Sequence, residues 1–338
     1  MKDGRFLCLG IESSCDETSA AVVADGRVIL SDIIASQIDI HRAFGGVVPE
    51  IASRHHLSNI NGVIEAALND AGAGFGDIDL IGVTKGPGLV GAILIGLATA
   101  KAMALTLDRP LIGVHHIRGH VLAALLQDRE LEPPFLSLIV SGGHTDLIDV
   151  RGAGDMRLLG RTRDDAAGEA YDKVARVLGL GYPGGPEIDR ISEAGDPDAV
   201  VFKRVMLEDG SLDFSFSGIK TGVLNYVNSE RQAGREIVTA DVAAGFQASV
   251  IDVLATKTQA ALELTGHRIL ALGGGVASNR RLRRRMESMC GELGVRLCLP
   301  DPELCTDNAA MIACAATLDF HAGARDGLDL DACARLDL

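Results

Sequence analysis

Phe6-Leu7-Cys8-Leu9-Gly10-Ile11 runs straight into Glu12-Ser13-Ser14-Cys15-Asp16-Glu17-Thr18. Further along, Phe135-Leu136-Ser137-Leu138-Ile139-Val140 runs into Ser141-Gly142-Gly143-His144-Thr145-Asp146. Each is an apolar run of strand length that ends in a small polar turn. A second β-rich run follows each, at 20–23 and at 147–150. A β-hairpin with a small-residue tip, used twice, predicts an α/β protein of two related lobes facing each other. Small residues at the tips let backbone N–H groups come close to an anion.

Working outward, the first lobe reads as a strand over 28–34, a helix over 49–71 and a strand over 80–84. The turn Lys85-Gly86-Pro87-Gly88, an apolar helix ending near 107, a strand over 111–114 and a histidine-bearing helix follow. The charged, then Pro-Pro stretch 130–134 reads as the surface link into the second hairpin. Beyond it come a helix over 166–178, a loop over 181–186, a helical stretch over 187–194 and a turn at 214–218. Two helices ending near 265, a strand over 268–272, a basic helix, a strand over 295–299 and a helix over 307–322 complete the series. The expected division is a first lobe over 1–114, a second over 115–325 that carries the metal and nucleotide sites, and a loose tail over 326–338.

The 338 residues are 47% hydrophobic with 40 glycines, a composition suited to an α/β enzyme with many tight turns. A net charge of −14 argues against a free-standing nucleic-acid binder; a polyanionic partner must meet a local basic patch or be held with help from other subunits. Seven cysteines at irregular spacing, with no Cys-x-x-Cys pair, predict reduced thiols. Residues 1–11 do not read as a signal peptide, and the 91–107 run carries Lys101 and much Gly and Ala. A soluble, cytoplasmic protein with no membrane partner is expected.

The chemistry concentrates in His115-His116-Ile117-Arg118-Gly119-His120. His116 and His120 sit one helical turn apart on one face, a spacing that suits one divalent ion. A zinc protease of this spacing has Glu after its first histidine as the water-activating base; here that residue is Ile117. Asp307, in Cys305-Thr306-Asp307-Asn308, is a candidate third ligand and equally a candidate helix N-cap. His144 stands beside the second hairpin tip as a decoy, and Asp16 and Glu17 are weak candidates for a general base. Gly273-Gly274-Gly275 ends a strand without forming a dinucleotide fingerprint or a P-loop, which suits a nucleotide cradled between hairpin lobes. Arg280, Arg281, Arg283, Arg284 and Arg285 make either a solvated helix face or a phosphate contact, and Arg157, Arg161 and Arg163 add a weaker cluster.

Several ordered motifs then coincide. They include Gly10 to Thr18, Gly45-Gly46-Val47-Val48-Pro49-Glu50, Gly86-Pro87-Gly88-Leu89 and the stretch from Lys101 to Val121. Val140 to Thr145, Asp165 to Lys173, Tyr182 to Pro186, Phe214 to Thr221, Gly273 to Val276 and Cys305 to Asn308 continue the series. Over roughly residues 5–322 the chain resembles the bacterial tRNA N6-adenosine threonylcarbamoyltransferase (TsaD) family, once called glycoprotease. The resemblance implies a two-lobed fold of the actin, sugar-kinase and Hsp70 type. It also implies transfer of the threonylcarbamoyl group of threonylcarbamoyl-AMP to N6 of adenosine 37 in tRNAs reading codons that begin with A. Metalloprotease and kinase or ATPase activities of the same fold are the alternatives.

By motif match, His116, His120 and Asp307 bind one metal ion per subunit, Fe(2+) in the family's usual description, with Zn(2+) also compatible with the set. Ile139, Val140, Ser141, Gly142, Gly143, Asp172, Gly185, Asp189 and Asn279 contact the substrate. The implied partners are the tRNA anticodon loop, a smaller paralogue of the same fold (TsaB-like) and an ATPase (TsaE-like). Two positions depart from the family's habit. Arg118 stands where Glu is common and is expected to change surface charge near the metal; Lys85 replaces a small residue before Gly-Pro-Gly.

Overall fold

The computed structural model describes residues 4–205 and 210–338; the first three residues of the 1–11 stretch lie outside the described residues. In chain order the elements of the first part are β1 (Leu7–Glu12), β2 (Glu17–Ala24), β3 (Val28–Ser36), α1 (Ile38–Arg42) and α2 (Pro49–Asp70). Then come β4 (Leu80–Gly86), α3 (Val90–Leu107), β5 (Leu111–His115), α4 (His116–Leu122) and α5 (Ala124–Gln127). The second part holds β6 (Phe135–Val140), β7 (Thr145–Gly152), β8 (Asp155–Arg161), α6 (Ala167–Val177), α7 (Gly184–Ser192), α8 (Ser217–Gln232) and α9 (Thr239–Thr265). It continues with β9 (Ile269–Gly273), α10 (Arg280–Leu293) and β10 (Arg296–Cys298), before α11 (Pro302–Cys305) and α12 (Ala309–His321) end the series.

The duplication holds at the level of topology. One five-stranded sheet has the order β3-β2-β1-β4-β5 and the other, read from its opposite edge, β8-β7-β6-β9-β10. In each, the first strand pairs antiparallel with the second, Glu12 opposite Ser19 in one and Val140 opposite Thr145 in the other. Each also pairs parallel with the strand that returns from the helical layer. Strands at such central positions are covered on both faces, so β1 and β6 are buried at every residue and read as continuous apolar runs. The third strand of the second hairpin, β8, escapes sequence reading. It is a sheet edge whose Asp155, Arg157 and Arg161 are exposed, so no apolar run marks it.

The chain divides into two compact units, and the division departs from the expected boundaries. The first unit comprises 4–133, 152–156 and 303–338; the second comprises 134–151 and 157–302. The histidine helix α4, expected in the second lobe, belongs to the first unit, as does α12. The physical cause is the alanine-rich face of α12, buried from Ala309 to Thr317. A side chain on Gly10 of β1 would stand 2.2 Å from the carbonyl oxygen of Ala309 and 2.8 Å from the amide of Ala313, so bare backbone there lets α12 lie directly on the sheet.

Residues 326–338 are not a loose tail. Asp326 donates to the carbonyl of Leu111 (3.1 Å) and its carboxylate accepts from Gly113 N–H (2.8 Å), while Cys333 N–H donates to the Lys85 carbonyl (2.8 Å). Leu330 and Ala332 pack against the core of the unit. β5 is an edge strand, and the segment satisfies backbone groups that the sheet leaves open. The loop expected over 181–186 is shorter than that, since α7 begins at Gly184 behind Pro183. Helix α3 is long and apolar enough to cross a membrane by length and composition, and its Leu97, Ala100 and Ala104 join the core of the first unit.

Candidate functional site

In the first unit, His116 and His120 lie on α4, which starts where β5 ends. Both are buried, with ring centroids 4.7 Å apart. Gly119 between them would, with a side chain, press on Ile312 Cδ1 at 3.0 Å and Met311 Cγ at 3.2 Å, so its bareness seats α4 against α12. That seating brings Asp307 to the histidines: its Oδ1 is 3.1 Å from His120 Nε2 and 3.5 Å from His116 Nε2. The cap of α12 is Asn308, whose Oδ1 accepts from Met311 N–H at 2.9 Å. Asp307, one residue earlier, is therefore not the cap, and its carboxylate faces the two imidazoles instead.

One atom from each of the three residues lies within 4.8 Å of the others, so the cluster could hold a metal ion. The donor set of two imidazole nitrogens and a carboxylate oxygen suits a first-row divalent ion. Ile117 is buried and brings no carboxylate. His144, the decoy, is not part of the cluster: its N–H donates to Ser141 Oγ (3.1 Å) in the β6–β7 turn.

Carboxylates dominate the electrostatics. Burial alone would push the His116 imidazole down, but the Glu12 and Asp307 carboxylates outweigh it and raise the imidazole to about 9. Burial, followed by the neighbouring Asp16 and Asp307 carboxylates, pushes Glu17 up to about 9. Glu12 went unnoticed in the sequence because it closes an apolar strand and looks like a boundary residue.

Arg118 does more than adjust surface charge. Its Nε and Nη2 donate to the Ala153 carbonyl at 3.1 and 2.6 Å, and it pairs with Asp319 of α12. This half-buried guanidinium ties α4 to α12 and to the 152–156 turn within the first unit.

The nine expected substrate residues all lie in the second unit. Ile139 and Val140 are buried in β6, and Ser141, Gly142 and Gly143 form the turn beyond it, where the two glycines face open space. A chain of contacts links them to three helices. Gly168 N–H at the start of α6 donates to the Ser141 carbonyl (3.1 Å), and Asp172 Oδ1 accepts from Gly184 N–H (2.7 Å) at the start of α7. Gly185 follows with open space above it, and Asp189 of α7 accepts from Arg280 Nε at 2.9 Å. Asn279 caps α10 through Leu282 N–H (2.9 Å) and donates to Gln247 Oε1 (2.7 Å). A cavity of about 380 Å³ opens here, lined by Asp189, Ser192, Gln247, Arg280 and Arg281 among others. Gln247, buried in the middle of α9, is a residue that sequence reading missed; its one signal was a polar side chain inside an apolar helix.

The arginine-rich helix α10 divides its charge. Arg280 pairs with Asp189 and Glu193, and Arg283 donates to the carbonyls of Ala277 (2.7 Å) and Pro300 (2.6 Å). Both arginines thus have partners within the second unit, although Arg280 itself is exposed.

A family model described as tRNA N6-adenosine threonylcarbamoyltransferase matches residues 28–314. The enzyme of that name from Clostridium beijerinckii is 53% identical over 334 residues, covering 99% of this chain and 98% of that protein. The one from Clostridium kluyveri is 54% identical over 338 residues, covering 100% and 98%. Among solved structures, HypF of T. kodakarensis superposes with a TM-score of 0.63 at 13% identity, over 94% of this chain and 48% of that one. That likeness speaks for the fold alone, and the fold is of the actin and sugar-kinase type. With the family model spanning most of its length and full-length relatives at more than half identity, the chain belongs to the tRNA N6-adenosine threonylcarbamoyltransferase family.

Proposed function

We propose that the protein transfers the threonylcarbamoyl group of threonylcarbamoyl-AMP to N6 of adenosine 37 in tRNAs reading ANN codons, releasing AMP. The observation that carries this reading is the convergence of His116, His120 and Asp307 in a chain whose full-length relatives bear the transferase name. His116, His120 and Asp307 would hold a divalent ion, Fe(2+) by our reading, which would supply Lewis acidity toward the carbonyl or the departing phosphate. In the second unit, we assign the anionic leaving group to the space beside the open Gly142-Gly143 turn and the nucleoside to Asp172, Gly185, Asn279 and Asp189, of which Asp189 lines the cavity. An adenine N6 amine is a weak nucleophile, so positioning supplies much of the acceleration. The base of an anticodon loop is already partly unstacked, which eases its entry.

The net charge of −14 favours shared tRNA binding, and we assign that help to a smaller paralogue of the same fold and an ATPase. The protein works in the cytoplasm, where its tRNA substrate resides. The test is to incubate the protein and those partners with threonylcarbamoyl-AMP and an unmodified ANN-reading transcript, then digest and analyse the nucleosides. N6-threonylcarbamoyladenosine at position 37 is expected. Its absence, with partners proven active on a matched transferase, refutes the reading.

A further inference from the structure

Glu12 ends β1 with no exposed surface. A carboxylate at that depth is costly unless its oxygens are satisfied. Here Oε1 accepts from Ser14 N–H at 2.5 Å, and Oε2 accepts from the Thr84 hydroxyl at 2.6 Å and from His116 Nδ1 at 3.0 Å. Ser14 Oγ stands 3.2 Å from the same imidazole nitrogen. An ionised carboxylate can only accept, so its hydrogen bond with His116 requires the proton on Nδ1. The other nitrogen, Nε2, is turned toward Asp307 Oδ1, 3.5 Å away on the cluster side of the ring. His120 has no such support, since its buried Nδ1 has no hydrogen-bond partner among the described residues.

We propose that Glu12 is the positioning residue of the metal centre. It fixes the tautomer and ring orientation of His116 from behind, while Thr84 and Ser14 hold the carboxylate in register. Of the two imidazoles, His116 is the one delivered preset and His120 the one that adapts. The assignment rests on reading His116, His120 and Asp307 as metal ligands.

Cobalt(II) serves as the probe, with affinity from chelator competition and geometry from visible absorption. Glu12→Gln is expected to raise the cobalt Kd about 10- to 100-fold and to alter the visible bands, with circular dichroism unchanged. Thr84→Val leaves Glu12 in place but removes one of its donors, and is expected to give a smaller rise in the same direction; it carries the test if Glu12→Gln does not fold. A folded variant with wild-type affinity and spectrum overturns the assignment, as does lowered thermal stability with unchanged cobalt binding. Failure of the wild-type protein to bind cobalt overturns the metal reading itself, and the role of Glu12 with it.

Discussion

His116 and Asn279 show how much one side chain is asked to do. The histidine faces Glu12 with one nitrogen and Asp307 with the other. His116→Ala and His120→Ala should each abolish stoichiometric metal and collapse transfer, with the fold retained; elemental analysis of the purified variants checks this, and retained metal refutes the ligand set. Asn279 uses its carbonyl oxygen as the cap of α10 and its amide nitrogen on Gln247. Asn279→Ala loses both and should cost roughly 1–2 kcal/mol, the scale of a lost cap. Asn279→Asp keeps an acceptor for Leu282 N–H but has no donor for Gln247. It should therefore melt closer to the wild type than Asn279→Ala while losing affinity for the nucleotide. Equal melting of the two variants would show that the cap contributes little.

Among the elements, α12 has the most to organise, because Asp307 stands just ahead of its first turn. Ser19 Oγ accepts from Ala309 N–H (2.9 Å) and donates to Asp32 Oδ1 (3.2 Å). Burial pushes Asp32 up from its ordinary value to about 6, although Ser19 and the Ala309 and Ala310 amides pull the other way. Below about pH 4 the side chain is protonated folded and unfolded alike, so it adds no pH dependence. Between pH 4 and 6 the folded state keeps a proton that the unfolded chain has lost, so stability falls as pH rises through this window. Above pH 6 the full cost of this half-buried carboxylate is present. Asp32→Asn keeps an acceptor for Ser19 without the charge, so it should melt higher than the wild type at pH 7.5, with a gain that shrinks toward pH 4. A gain of the same size at both pH values would exclude Asp32 ionisation as its source.

Across the whole molecule, what sequence could reveal was local. The paired strand-and-turn segments at 6–18 and 135–146 announced the duplication because continuous apolar runs mark buried strands, and the His116/His120 spacing announced a metal pair. Unit membership was not legible. That α12 returns to the first sheet depends on the bare backbone at Gly10, a fit between surfaces far apart in sequence. The burial of Glu12 and its reach to His116 were hidden for the same reason. The C-terminal segment belongs to this class too: residues 326–338 read as polar and irregular, yet they cover the open edge of β5. Deleting them removes the acceptor of Gly113 N–H, the donors to Leu111 and Lys85, the acceptor of His115 Nε2 (the Leu336 carbonyl, 3.1 Å) and the packing of Leu330 and Ala332. Each lost hydrogen bond is worth about 1 kcal/mol, and a protein of this size shifts by a few degrees per kcal/mol. A chain ending at Arg325 should therefore melt roughly 5–10 °C lower and, with a strand edge exposed, self-associate in size-exclusion chromatography. Asp326→Ala in the full chain should give a smaller fall and stay monodisperse. A truncated chain that melts like the wild type would mean that the segment rests on the sheet without supporting it.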